Sequence, residues 1–236
     1  MQGGPFTYAL LAALATALLV ASFTDLKRRQ IDNWLNLAVA LGAPLFWLST
    51  GLDWIGVAFQ IGLAAATFAV ACVLFALRQM GGGDVKLLTA LALWFVPDAF
   101  LLLVIMMAVV GGGASIAAAA FNMRRVPGEG LRDGIAMVAA TAWVAFAASA
   151  TFALGTGRPI ITGSAVDTIR HVLPAVWLLW TVGALIAAIF FFGMRHMMRR
   201  QKTRLPIPYG VAISIAALWV MADRYIYVVP VTPGLG

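Results

Sequence analysis

Cysteine is nearly absent. Cys72 is the only one in 236 residues, and it lies inside an apolar stretch. A single thiol excludes an intramolecular disulfide and any zinc site built on cysteines. With no polar neighbour in sequence, Cys72 is a poor candidate nucleophile. Histidine is almost as scarce. His171 and His196 fall in segments read as loops on opposite faces, which leaves no metal pair. No metal and no cofactor is expected. Charge is sparse too, at 11% of residues against 63% hydrophobic. A soluble domain of this size does not carry that balance, so the composition implies a polytopic membrane protein. Alternating strands of roughly ten residues, the mark of a transmembrane barrel, are also lacking. The start of the chain has no basic region before its first apolar stretch, which is about as long as a full span. It reads as a retained helix rather than a cleavable signal.

What is present is long, Leu/Ala-rich apolar sequence. Eight segments are expected, approximately Tyr8 to Thr24, Trp34 to Ser49, Trp54 to Leu77, Val85 to Val96, Ala99 to Phe121, Gly134 to Leu154, Leu173 to Met194 and Pro208 to Val228. Most approach the roughly 20 residues that a spanning helix needs. The fourth is short and stops at Pro97-Asp98, a partial span to be shielded by its neighbours. The expected fold is all-α, a single polytopic helical bundle over residues 1–236.

The net charge of +7 does not point to nucleic acid. Loops after odd-numbered segments hold 13 of the 16 Lys and Arg residues, and the other side keeps Arg158, Arg170 and Arg224. Such asymmetry marks the cytoplasmic side, which places the N-terminus outside. The basic face should also attract anionic lipid headgroups, so membrane lipids are expected partners.

Two carboxylates fall on that same face. Asp25 ends the first segment, and Asp84 follows three glycines, Gly81, Gly82 and Gly83. Each has an ordinary reading. Asp25 precedes Arg28 and Arg29 at helical spacing, so a surface ion pair worth under about 1 kcal/mol would account for it. Asp84 would serve as an N-cap. The glycines are not a phosphate loop, because the required Lys-Ser/Thr spacing is missing. Together the two aspartates suggest more. In a partly dry site a carboxylate pair shares one proton, and its two members can act as base and acid on water and a peptide carbonyl. The glycines let backbone and substrate approach closely.

Three blocks then carry a resemblance. Asp25 followed by Arg29, Ile31 and Asn33 resembles the first signature of type IV prepilin peptidases. Gly81-Gly82-Gly83-Asp84-Val85-Lys86-Leu87 resembles their Gly-x-Gly-Asp-Val-Lys-Leu motif. Leu205 to Ile213, with Pro208, Tyr209 and Gly210, is similar to the Pro-Tyr-Gly block of the small peptidase-only members that serve Flp/Tad-type pili. The resemblance covers roughly Phe6 to Phe121 and Arg204 to the end. It implies an intramembrane aspartyl endopeptidase that removes prepilin leaders at the cytoplasmic face of the bacterial inner membrane. Asp25 and Asp84 match the catalytic pair, while Gly81, Gly82, Gly83, Lys86, Pro208, Tyr209 and Gly210 would shape the site. Partners would be a prepilin and pilus-assembly machinery; the oligomeric state stays open.

Two departures stand out. Asp32 replaces the family's proline and is expected to face solvent. The stretch 124–204 holds two extra helices beyond the usual six. The cysteine-rich insert of the bifunctional members is missing, so methyltransferase activity is not expected. Two other classes remain: a transporter or channel, which would place acids at mid-helix and show repeats, and a catalytically silent pilus-assembly protein.

Overall fold

The computed structural model describes residues 4–159, 163–172, 176–203 and 209–226. Nine α-helices occur among them: α1 (Pro5–Arg28), α2 (Asn33–Thr50), α3 (Trp54–Ala76), α4 (Gly82–Ala92), α5 (Pro97–Phe121), α6 (Gly130–Thr156), α7 (Gly163–Val172), α8 (Val176–Arg199) and α9 (Tyr209–Met221). A five-residue π turn, Ala222–Ile226, extends α9. No strand occurs among the described residues beyond one isolated bridge between Met123 and Gln201. The all-α expectation holds. Each of the eight apolar segments contains a helix, and α7 is an addition inside a stretch that reads as polar loop. Five helices, α1, α3, α5, α6 and α8, are long and apolar enough to cross a membrane. The chain is a multi-pass membrane protein.

It divides into two compact units: Met1–Ala108 with Pro208–Gly236, and Val109–Ile207. In the first, α1 packs on α2 and α9, and α4 packs on α2, α3 and α9. The buried faces follow helical spacing. They comprise Leu11, Leu14, Leu18 and Ala21 on α1, Leu35, Val39, Ala43 and Phe46 on α2, and Ile213, Ala217 and Val220 on α9. Outward faces stay greasy; Trp54 is 88% exposed and Leu48 80%. In lipid those faces lose nothing, so close packing rather than escape from water holds the helices. Gly42 shows the tolerance: a Cβ there would lie 2.7 Å from the Trp94 ring.

The short α4 poses a problem that other helices solve. Its 11 residues end far short of the roughly 20 needed to span, so its last carbonyls would face apolar surroundings unsatisfied. Side chains from α2 and α3 meet them. Trp47 Nε1 donates to the Leu93 carbonyl at 2.8 Å, and Gln60 Nε2 to the Phe95 carbonyl at 3.1 Å. Trp94 Nε1 reaches back to the Val39 carbonyl at 2.8 Å. Gln60 is itself only 5% exposed. Gln60→Leu keeps the volume and orphans the Phe95 carbonyl. We expect a loss of about 1–3 kcal/mol, read as a lower thermal unfolding midpoint in detergent; an unchanged midpoint would show that the carbonyl finds another donor.

In the second unit α6 packs against α8. Gly113 serves close packing, as its place among three glycines suggests: a Cβ there would come within 2.9 Å of the Ala147 methyl. The histidines require a correction. Both lie in helices rather than loops, His171 in α7 and His196 in the last turn of α8.

Candidate active site

Asp25 occupies the next position on the buried stripe of α1, one turn beyond Ala21. Helical periodicity therefore delivers it to the packed interior, where it is 6% exposed. α1 continues through it to Arg28 and closes at Arg29, whose left-handed φ of 56° lets its N–H donate to the Asp25 carbonyl at 2.9 Å. The alternative pairing of Asp25 with Arg28 is not formed. Arg28 Nη2 turns instead to Asp32 Oδ2, at 3.7 Å, on the exposed surface.

Asp84 is not the N-cap of α4. Gly81 is, in an extended conformation, and the helix begins at Gly82. Asp84 is thus the third helical residue, and its carboxyl curls back toward the Gly81 amide as the acid of a capping box does. A side chain at Gly81 would block this, since its Cβ would lie 3.0 Å from Asp84 Oδ2. Gly83 fits against Ile31, where a Cβ would approach to 3.2 Å. Asp84 is 9% exposed. Burial pushes its carboxyl up to about 6, and the negative charge of Asp25 adds to the rise against the lowering pull of the Gly81 amide.

α9 closes the site from the other side. Gly210 stands on the same stripe as Ile213 and Ala217 and is buried. A Cβ on it would lie 2.7 Å from Ile31 Cδ1 and 2.8 Å from Asp25 Oδ2. The N–H groups of Gly210 and Val211 approach the Asp25 carboxyl, which puts the positive end of the α9 dipole beside it. Asp25 Oδ2 is nonetheless buried without a hydrogen-bond partner.

Asp25 and Asp84 open onto one cavity of about 370 Å³, walled also by Arg29, Asp32, Asn33, Gly81, Gly82 and Gly83. Asp32 therefore borders the cavity as well as pairing with Arg28. Lys86 is exposed, and its Nζ donates to Asn33 Oδ1 at 2.7 Å, tying α4 to the first turn of α2. Tyr209 is the first residue of α9 and half-buried. Pro208 lies outside the described residues. Among the described residues no group of three His, Cys, Asp or Glu side chains is arranged to hold a metal ion.

Sequence reading missed Asn36. It is 4% exposed, donates to the Gly83 carbonyl at 3.4 Å and leaves its Oδ1 unpartnered. A signal existed: Asn36 begins the buried stripe that continues through Val39, Ala43 and Phe46.

Fold and cavity together define a helical membrane protein that presents two buried carboxylates at one end of a bundle. Residues 12–117 match the type IV leader peptidase family. The match spans less than half of the chain and is a likeness to that family. It takes in both aspartates and the three glycines but not α6 to α9. No curated protein and no solved structure matches the chain.

Proposed function

We propose that the chain is an intramembrane aspartyl endopeptidase that removes the leader of a type IV-like prepilin at the cytoplasmic face of a bacterial inner membrane. One observation carries this reading. Asp25 and Asp84, far apart in sequence, line one cavity together with Gly81, Gly82 and Gly83. Two mutually repelling carboxylates are costly to bury, and such a cost is retained where chemistry uses it.

The roles follow from the surroundings. Asp25 lies beside the Gly210 and Val211 amides and takes the role of base, the shared proton being assigned to Asp84. Asp84 titrates near 6 and holds the shared proton. A water between them gives a proton to Asp25 as its oxygen attacks the scissile carbonyl, while Asp84 protonates the carbonyl oxygen. Collapse of the tetrahedral species breaks the C–N bond. The proton taken by Asp25 goes to the leaving amine, and a hydroxyl proton returns to Asp84. The apolar helix of the prepilin would partition into the bilayer and hold the scissile bond at this depth, so positioning supplies part of the rate. Methyl transfer forms no part of this reading.

The test is cleavage by the purified chain in detergent of a prepilin carrying its leader, with the products weighed by mass spectrometry. Leader-sized and mature fragments are expected. Failure with several prepilins of differing leader would remove the reading.

The pH dependence has a defined sign. Asp84 must hold a proton, and its carboxyl titrates at about 6. The turnover number should therefore fall as pH rises through that value, approaching about tenfold for each further pH unit. A profile flat from pH 5.5 to 8 (about the range tested) would contradict the assignment of the proton to Asp84.

A further inference from the structure

The unit Val109–Ile207 holds a charged groove that the peptidase reading does not use. α8 meets α6 closely at Gly193, where a Cβ would lie 3.1 Å from Ala139 Cβ and 3.3 Å from the Ile135 carbonyl. One turn further on, the acids at this end are already engaged. Buried Asp133 takes His196 Nε2 at 2.7 Å, and Glu129 Oε2 accepts from Arg200 Nη2 at 2.6 Å. These pairs fasten the first turn of α6 to the last turn of α8. Arg132, Arg195 and Arg199 remain exposed. None of the three has an ion-pair partner among the described residues.

These three arginines line a single groove of about 440 Å³ together with His196, Phe192 and Ile135. Arg195 and Arg199 stand one turn apart on α8, a spacing at which like charges repel. The C-terminal dipole of α8 relieves part of that cost, but no carboxylate does. Seven Lys and Arg residues at positions 124–132 and 195–202 stand against only Glu129 and Asp133. The other wall of the groove is apolar and open, with Phe192 64% exposed. Both helices are long and apolar enough to span, so their charged ends lie where hydrocarbon gives way to headgroups.

We propose that this groove binds the phosphate of an anionic glycerophospholipid, its acyl chain lying along Phe192 and Ile135. Guanidinium groups fit a phosphate in two-pronged fashion, and basic pockets between membrane helices suit such headgroups. The second unit then provides a lipid-anchored site of its own, whatever reaction the aspartates perform.

The test uses the full chain, delipidated in detergent and titrated with phosphatidylglycerol while bound lipid is counted by native mass spectrometry. The wild type should retain one tightly held phosphatidylglycerol and discriminate against phosphatidylcholine. Replacing Arg132, Arg195 and Arg199 together by Gln should weaken retention about 100-fold, at roughly fivefold for each basic residue. Arg195→Lys with Arg199→Lys keeps the charge but loses the two-pronged contact, and should fall between the wild type and the triple Gln variant. Arg124→Gln with Arg125→Gln removes charge outside the groove and should change retention little, and elution as one sharp size-exclusion peak checks that each variant is folded. The proposal is overturned if the control pair weakens retention as much as the triple change, if phosphatidylcholine binds equally well, or if inorganic phosphate alone competes at the lipid's own affinity.

Discussion

Asp84→Asn is expected to abolish cleavage, by on the order of a thousandfold, while making the bundle more stable. The two effects share one origin. Unfolded, the Asp84 carboxyl titrates near 3.8; folded, at about 6. The folded chain thus holds the proton more tightly, so stability is greatest below pH 4 and declines as pH rises between those two values. Above about 6 the buried charge carries its full cost, of order 1–3 kcal/mol at about 1.4 kcal/mol per tenfold displacement. Asparagine keeps the shape and the contact with the Gly81 amide but carries no charge. The unfolding midpoint of the variant at pH 7.5 (about this value suffices) should exceed that of wild type, and the gap should close toward pH 4. A residue present only to cap α4 would behave otherwise, since asparagine would keep the cap, spare activity and give no gain in stability. Asp25→Asn should remove cleavage to a similar degree. Combining the two changes should add little, because the pair works as a unit.

The second large effect belongs to Gly210. Its missing side chain is what lets α9 seat its first amides against Asp25. Alanine there would put a methyl 2.7 Å from Ile31 and 2.8 Å from Asp25 Oδ2, closer than atoms can remain. Either α9 withdraws or the carboxyl turns. Overpacking of this kind costs about 1–3 kcal/mol, and a displacement near 1 Å at a reacting group costs about 100-fold in rate. Gly210→Ala should show both losses, and Gly210→Val more of each. Gly62 provides the contrast: it lies in α3 with nothing within 4 Å of its would-be Cβ. Gly62→Ala should match the wild type in cleavage and stability. Equal behaviour of the two alanine variants would show that α9 does not need to approach Asp25.

The sequence made the main elements of this site legible for local reasons. Apolar length disclosed the helices, and the glycine run before Asp84 disclosed the break between α3 and α4. The stripe Leu11, Leu14, Leu18, Ala21 already pointed Asp25 inward, although the nearby arginines suggested a surface pair. What stayed hidden depends on packing between distant segments. Nothing near Gly210 in sequence says that it will touch Asp25, and nothing near Gly83 says that Asn36 will lie beneath it. Asp84 looked like a cap because caps are read from the residue before an apolar run; the helix absorbed two glycines and moved the cap to Gly81. Likewise Asp133 and His196 meet only because α6 and α8 lie side by side, which places a histidine read as a loop residue inside a helix.

The central claim is that Asp25 and Asp84 are one catalytic pair. Its most direct test is the intact mass of a prepilin incubated with the wild-type chain, with Asp25→Asn and with Asp84→Asn, each shown to be folded by its unfolding midpoint. The account requires the wild type to release the leader and both variants to leave the prepilin at full mass. Shortening of the prepilin by both variants at the wild-type rate would contradict it.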